Sequence, residues 1–129
     1  MSASSKLTAV IIDDNDVSRS MLRHILNSEQ RFKVVGEAGN GMLGLQLVER
    51  LNPDFVCLDV EMHESDGLDT LAQIKRQWPS QIVLMVTGSK DARTVKTAME
   101  TGASGYVVKP FYPDALLRAI DSAFSKRGI

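Results

Sequence analysis

The sequence predicts a single α/β domain in which helices cover both faces of a doubly wound parallel sheet. Five short apolar runs alternate with stretches of helical periodicity, and a chain of 129 residues suits one hydrophobic core. Strands of about four to eight residues separated by helices signal repeated βαβ units, which close right-handed into a parallel sheet. We therefore expect a three-layer sandwich of five strands and five helices.

The predicted strands are rich in β-branched and other apolar residues. They are Leu7–Ile12, Lys33–Ala38, Phe55–Asp59, Ile82–Thr87 and Gly105–Val108. Between them, apolar residues recur three or four positions apart, as they do along one side of a helix. Asparagine, glycine and proline residues at the ends of these stretches indicate where the helices begin and end.

The first helix is predicted to begin near Asp16 or Val17, with Asn15 or Asp16 as its N-cap. Three of its apolar residues form one stripe, and two leucines lie beside that stripe. We expect this side of the helix to face the sheet. The five residues are Val17, Met21, Ile25, Leu22 and Leu26.

Composition argues against several functions. The net charge is −1, and no basic stripe interleaved with aromatic residues is present, so we expect no direct nucleic-acid binding. The single Cys57 excludes an intramolecular disulfide and a zinc cluster of several thiolates. The sequence shows neither an export signal nor an apolar run long enough to span a bilayer, so we expect a cytoplasmic protein without membrane insertion.

Polar side chains follow four of the predicted strands. Asp13 and Asp14 follow the first strand, Asp59 ends the third, Thr87 ends the fourth and Lys109 follows the fifth. In open α/β sheets, ligands bind beyond the carboxyl ends of the strands, where the winding direction reverses. We therefore expect these five side chains to form one site.

Three carboxylates at one sheet edge need a compensating positive charge. Two charges about 4 Å apart repel by roughly 4 kcal/mol at an effective dielectric near 20. The cluster must therefore take up protons, recruit Lys109 or bind a cation. Oxygen ligands without nearby cysteine or histidine favour Mg²⁺ over Zn²⁺. Asp59 as nucleophile, Thr87 as hydroxyl donor and Lys109 as cation are then the groups that phosphoryl transfer requires.

Through these residues the sequence resembles the receiver domains of bacterial response regulators. The resemblance covers about Lys6–Ser125 and is most marked, with single-domain chemotaxis regulators, around Met85–Phe111. It implies a flavodoxin-like sheet with strand order 2-1-3-4-5. It also implies a magnesium site in which Asp59 is both ligand and phosphoacceptor. The implied ligands are Asp13, Asp14, Asp59 and the backbone carbonyl of Glu61.

The resemblance also assigns roles to residues around the site. Thr87 and Tyr106 are implied to be switch residues, and Lys109 the lysine that contacts the phosphoryl group. Lys109-Pro110 matches a Lys-Pro pair whose peptide bond is usually cis in this family. Gly67 matches the turn glycine after the acceptor loop.

The acceptor loop departs from the family pattern. Met62 is followed by His63, where the family often has proline, so we expect a less rigid loop. Glu61, His63 and Ser89 are expected to modulate the site. Glu61 adds a negative charge beside Asp59, and we expect it to tune the lifetime of the phosphorylated state.

The implied function is a switch rather than an enzyme. A phosphohistidine of a kinase or phosphotransfer protein would phosphorylate Asp59, and the face formed by the fourth helix, fifth strand and fifth helix would then bind a partner. We expect residues 1–5 to be a flexible N-terminus, 6–125 the receiver domain and 126–129 a tail. Too little chain follows the fifth helix for an output domain. Unless the sequence is a domain excised from a larger protein, output would pass to an unidentified protein in trans. A phosphorylation-dependent homodimer is left open.

Two other functions compete with the switch. Asp14-Asn15-Asp16 after an apolar strand resembles the Asp-x-Asp start of haloacid-dehalogenase-type phosphatases. The short chain and the lack of an acidic pair after the fifth strand argue against such an enzyme. The second alternative is a phosphate-independent binding module that retains the fold without the chemistry.

Overall fold

A computed structural model of the protein describes residues 6–63, 66–88 and 92–125. The expected terminal segments and Ser89 lie outside the described residues. The strands are β1 Leu7–Ile12, β2 Phe32–Ala38, β3 Phe55–Asp59, β4 Ile82–Thr87 and β5 Gly105–Val108. The helices are α1 Asp16–Ser28, α2 Gly41–Leu51, α3 Gly67–Gln77, α4 Ala92–Thr101 and α5 Pro113–Ser125. Strand β2 begins one residue earlier than predicted, and the other four strands match their predicted bounds.

The five strands form one parallel sheet in the order β2-β1-β3-β4-β5, as predicted. The chain runs outward from β1 to β2 and then crosses back over β1 to β3, so the winding direction reverses between β1 and β3. Ile12 pairs with Leu58 across these two strands. The carboxyl ends of β1 and β3 therefore lie side by side at the reversal point, where this fold class binds ligands.

Apolar side chains cover both faces of the sheet. Strands β3 and β4 are buried along their whole length, as expected for central strands of a parallel sheet. Leucines and isoleucines of α1 and α5 pack on one face, and residues of α2, α3 and α4 pack on the other. The rigid centre of the sheet thus supports the polar residues at its edge.

The predicted orientation of α1 is wrong. Its N-cap is Asn15, as predicted, and the Asn15 side chain accepts a hydrogen bond from the Ser18 N–H at 2.9 Å. Leu22 and Leu26 are buried, but Val17 is 68% exposed and Met21 is 46% exposed. The buried face of α1 is therefore centred on the two leucines and not on the Val17–Met21–Ile25 stripe.

Ion pairs to the neighbouring strand accompany this rotation of α1. Arg19 and Arg23 lie on the same side of the helix as Leu22, and they contact Glu37 of β2 at 3.3 and 2.7 Å. In the observed rotation both guanidinium groups reach Glu37 while Leu22 and Leu26 pack on the sheet. Hydrophobic periodicity alone does not contain this information, because both apolar rows of α1 have helical spacing.

Cys57 lies in the hydrophobic core. Cys57 is a free, buried cysteine in β3, and burial raises the pKa of its thiol to about 12. It is therefore an unreactive core residue. Among the described helices, none combines the length and the apolar character required to cross a bilayer.

The orientation of α1 predicts unequal effects of two substitutions. Leu22→Ala removes buried methyl groups and should lower the free energy of unfolding by about 2–4 kcal/mol. Met21→Ala changes an exposed side chain and should change it by less than about 0.5 kcal/mol. Urea unfolding followed by circular dichroism measures both values. Equal destabilisation by the two substitutions would contradict the orientation described above.

Candidate functional site

Three carboxylates meet where β1 and β3 end. Asp13 and Asp14 follow β1, Asp59 is the last residue of β3, and one carboxylate oxygen of each lies within 4.8 Å of those of the other two. Asp13 is 1% exposed and Asp59 is 3% exposed, whereas Asp14 is partly buried. The register between β1 and β3 brings the three predicted carboxylates together.

A backbone N–H from the following or neighbouring loop holds each carboxylate. Asp13 Oδ1 accepts a hydrogen bond from the Asn15 N–H at 2.9 Å, and Asp59 Oδ1 accepts one from the Glu61 N–H at 3.2 Å. Asp14 Oδ2 accepts one from the His63 N–H at 2.7 Å. These bonds fix the orientation of the three carboxylates.

The Lys109 ammonium group lies between the two buried carboxylates. Its Nζ is 3.3 Å from Asp13 Oδ2 and 3.5 Å from Asp59 Oδ2. The Lys109 N–H donates to the Thr87 carbonyl oxygen at 2.7 Å, which ties the end of β5 to the end of β4. The cationic group predicted for the site is therefore positioned by the sheet itself.

The site remains short of positive charge. Burial and the neighbouring charge of Asp13 raise the pKa of Asp59 to about 6, although the Lys109 ammonium and the Glu61 N–H act in the opposite direction. The pKa of Asp14 is lowered, mainly by the hydrogen bond from the His63 backbone. Three carboxylates with oxygen ligands only, compensated by a single ammonium group, fit a hard divalent cation.

Thr87 lies at the same edge of the sheet. It ends β4, its side chain is buried, and the preceding Val86 pairs with Asp59. The Lys109-Pro110 peptide bond is cis, as the resemblance implied. The ends of β1, β3, β4 and β5 thus bring together the residues that sequence analysis had grouped.

The turn after Asp59 requires a glycine at position 67. A Cβ at Gly67 would overlap the carbonyl oxygen of Asp59 and the backbone of Val60. The Gly67 N–H donates to the Val60 carbonyl oxygen at 3.0 Å. The start of α3 therefore packs directly against the acceptor loop, which agrees with the predicted turn glycine.

Glu61 is an exposed residue of the acceptor loop. Its backbone forms an isolated antiparallel bridge with Asp66, and its carboxylate lies beside Gly88, the residue after β4. A Cβ built on Gly88 would be 3.5 Å from Glu61 Oε1. The Glu61 side chain therefore reaches across the opening of the site from β3 towards β4.

Tyr106 lies away from the carboxylates, on β5. It is 45% exposed and pairs with Met85 of β4. A cavity of about 400 Å³ adjoins its ring, and its lining is Ala92, Val95, Lys96, Tyr106 and Val108. The predicted switch tyrosine thus has open space between β5 and α4.

Sequence analysis missed two contacts of the site. The Arg19 guanidinium group donates to the Asp13 carbonyl oxygen at 2.7 Å while it pairs with Asp16 at 2.6 Å. His63, expected to lie in a less rigid loop, contacts Asp14 through its backbone N–H and through its ring, whose Nδ1 is 2.8 Å from Asp14 Oδ2. The three-residue spacing of Asp16 and Arg19 was a signal for their ion pair, but no local pattern reveals the contact with Asp14.

Similarity to known proteins identifies the family of this chain. Residues 9–121 match the family model of the response regulator receiver domain. The chain belongs to the response regulator receiver domain family. Members of this family act as phosphoacceptor switches in two-component signalling and are generally not classed as enzymes.

Curated relatives include single-domain and longer regulators. The receiver is 38% identical to the chemotaxis protein CheY of Listeria monocytogenes over 117 residues, which are 91% of this chain and 98% of that protein. It is 34% identical to the nitrate/nitrite response regulator protein NarL of Escherichia coli, where the match covers 95% of this chain and 57% of the regulator. The same fold thus occurs as a separate protein and as part of a longer one.

Solved structures show the same architecture. A CheX-CheY-BeF3-Mg complex from Borrelia burgdorferi matches with a TM-score of 0.87 and 26% identity, over 92% of this chain and 89% of that chain. A LuxR-family response regulator from Aurantimonas matches with a TM-score of 0.88 and 25% identity, over 95% of this chain and 87% of that chain. The fold and strand order predicted from the sequence are confirmed.

The raised pKa of Asp59 predicts a pH-dependent stability of the metal-free receiver. A folded-state pKa of about 6, above the ordinary value of 3.8, means that ionised Asp59 destabilises the fold above pH 6. This destabilisation is relieved as the pH falls towards 3.8, below which the carboxyl group is protonated in both states. Asp59→Asn should therefore raise the free energy of unfolding at pH 8 in EDTA by on the order of 1–3 kcal/mol.

Urea unfolding at pH 8 and pH 5 checks this expectation. The advantage of the Asp59→Asn variant over the unmodified receiver should shrink at pH 5. Asp69→Asn, which changes an exposed aspartate on α3, is the control and should show no such difference. An Asp59→Asn variant that is no more stable than the unmodified receiver at pH 8 would contradict the electrostatic description of the site.

Proposed function

We propose that this receiver switches its state when Asp59 accepts a phosphoryl group from a phosphohistidine. In this transfer an Asp59 carboxylate oxygen forms the new P–O bond, the P–N bond breaks, and the histidine is released. The observation that carries the proposal is the position of Asp59. It is buried at a strand end, its Oδ2 is 3.5 Å from the Lys109 ammonium, and Asp13 and Asp14 complete a three-carboxylate cluster.

Three carboxylates would hold the metal that this chemistry requires. Asp13, Asp14 and Asp59, together with the Glu61 backbone carbonyl, are the proposed ligands of Mg²⁺. The bound ion supplies positive charge that the phosphoryl oxygens need and that Lys109 alone does not provide. The support from this structure is the oxygen-only donor set and the raised pKa of Asp59.

Lys109 and Thr87 would detect the phosphoryl group. Phosphorylation adds about −1.5 to −2 of charge at neutral pH and three acceptor oxygens. We propose that Lys109 pairs with one of these oxygens and that the Thr87 hydroxyl donates to another. Because Thr87 ends β4, its movement would be transmitted to α4 and β5.

The face formed by α4, β5 and α5 is the proposed output surface. Tyr106 is half-exposed beside a cavity of about 400 Å³, so its ring has room to turn inward. Moving such an equilibrium from 1:99 to 99:1 would require roughly 5.5 kcal/mol of differential interaction. A phosphoryl group that contacts both a metal ion and an ammonium group in a partly buried site can supply an interaction of this size.

The proposed donor is a histidine kinase or a phosphotransfer protein, and the proposed output is a protein bound in trans. The Borrelia burgdorferi complex contains a CheY together with a second protein, CheX. We also propose that residues 6–125 form the complete receiver domain and that it acts in the cytoplasm, where its free cysteine stays reduced. A homodimer formed after phosphorylation is a further proposal for the same surface.

The family match does not favour the two alternative functions. A haloacid-dehalogenase-type phosphatase would turn over a phosphoester continuously, whereas the switch forms one acyl phosphate per molecule. A phosphate-independent module would retain the fold but would not incorporate a phosphoryl group. These three outcomes are distinguished by one labelling experiment.

Phosphorylation by acetyl phosphate tests the proposal. With Mg²⁺ present, intact mass spectrometry should show one added phosphoryl group on the unmodified receiver and none on Asp59→Asn. Lys109→Met removes the ammonium group that would contact the phosphoryl group. It should therefore lower the fraction of the receiver that carries an added phosphoryl group in the mass spectrum. The matched controls are Asp69→Asn and Lys33→Met, which change exposed residues outside the site and should behave like the unmodified receiver. Incorporation into Asp59→Asn would overturn the assignment of the acceptor.

Glu61 should set the lifetime of the phosphorylated state. Its exposed carboxylate reaches across the opening of the site, where it can orient the attacking water and accept its proton. We expect Glu61→Ala to lengthen the lifetime about tenfold, less than a fully positioned general base would contribute. Loss of the phosphoryl group after removal of acetyl phosphate measures this, with Glu49→Ala on α2 as the control. Unchanged dephosphorylation would rule out this role.

A further inference from the structure

His63 contacts one oxygen of Asp14 twice, although its side chain is 97% exposed. Its backbone N–H lies 2.7 Å from Asp14 Oδ2, and its ring Nδ1 lies 2.8 Å from the same oxygen. An ionised carboxylate can only accept hydrogen bonds, so Nδ1 carries the proton in this contact. The two donors come from the β3–α3 loop, 49 residues away from Asp14 in the sequence.

Both hydrogen bonds end on the same oxygen of Asp14, so its two oxygens differ in their contacts. Oδ2 is occupied, whereas Oδ1 accepts no hydrogen bond from residues 6–63, 66–88 and 92–125. One oxygen therefore fixes the orientation of the carboxylate, and the other is left for a ligand.

Asp14 has a different partner from the other two carboxylates. Asp13 and Asp59 each lie beside the Lys109 ammonium group, at 3.3 and 3.5 Å. Asp14 is partly exposed and is held by His63 instead. An exposed carboxylate without a partner would sample several rotamers, and ordering it would oppose metal binding.

The loop that carries His63 is anchored on both sides. Glu61 forms a backbone bridge with Asp66, and the Gly67 N–H donates to the Val60 carbonyl oxygen at 3.0 Å. His63 lies in the segment between these two backbone contacts, and its two donors reach Asp14 from there. The contact ties the β1–α1 loop to the β3–α3 loop at the rim of the site.

We propose that His63 is a positioning residue for the divalent cation, and that it acts by holding Asp14 through Oδ2 so that Oδ1 faces the ion. This inference rests on the proposed metal site and deepens it. Hydrogen bonds to metal-ligating carboxylates commonly contribute about 10- to 100-fold to metal affinity. A proline at position 63 would offer neither the N–H nor the ring, so histidine gives this receiver a contact that proline cannot make.

Direct measurement of metal affinity tests the proposal without any phosphorylation. Free Mn²⁺ can be followed by electron paramagnetic resonance at pH 8, and Mg²⁺ affinity can be obtained by competition. His63→Leu removes the ring donor and should weaken binding about tenfold. His63→Asn keeps an N–H at the same number of bonds from the backbone and should restore most of the affinity. His24→Leu, which removes the exposed histidine of α1, should leave it unchanged.

His63→Pro extends the test to the backbone donor. It should weaken binding more than His63→Leu does, because both bonds to Asp14 are lost. Thermal unfolding in EDTA verifies that each variant is folded, and an exposed side chain at this position makes misfolding of the Leu and Asn variants unexpected.

The outcomes separate this inference from the proposed function. If the unmodified receiver binds Mn²⁺ but His63→Leu binds it equally well or more tightly, the positioning role is overturned and the metal site stands. Tighter binding would show that His63 competes with the ion for Asp14. If the unmodified receiver shows no saturable binding, the metal site itself is overturned, and the role of His63 with it.

Discussion

Repulsion among three carboxylates that the sheet forces together is the constraint on which the rest of the site depends. The parallel register of β1 and β3 places Asp13 beside Asp59, and burial leaves neither of them much water. The surrounding contacts all reduce this unfavourable charge. They comprise backbone N–H groups, the Lys109 ammonium group and the two donors of His63. The remaining shortage of positive charge makes this three-carboxylate cluster suited to a divalent cation.

The fold can tolerate the repulsion among the three carboxylates because the centre of the sheet is apolar and well buried. Strands β3 and β4 are buried along their whole length, and helices pack on both faces of the sheet. Gly67 lets the start of α3 approach the backbone of the acceptor residue, which a side chain would prevent. The acceptor loop thus packs on the core. A cavity of about 400 Å³, partly lined by Tyr106, lies on another side of the domain, towards β5 and α4.

Charged residues also orient the helix that follows the acidic loop. Arg19 contacts the Asp13 carbonyl oxygen, Asp16 and Glu37, and so links α1, β2 and the site. Val17 and Met21 of the same helix are exposed although both are apolar. The observed rotation of α1 buries Leu22 and Leu26 and also lets the Arg19 guanidinium group form its hydrogen bonds and ion pairs.

The sequence by itself determined the fold class, the strands and the set of polar residues at their ends. This was possible because strand and helix periodicities are local, and because parallel strands bring their carboxyl ends to one edge. Only the tertiary structure decided which face of α1 is buried, that Arg19 reaches Asp13, and that His63 holds Asp14. The contact between His63 and Asp14 joins segments 49 residues apart, and two rows of α1 have helical spacing. The contact of Arg19 with Asp13 spans only six residues, but it depends on the path of the loop between β1 and α1. Local sequence patterns contain none of these distances.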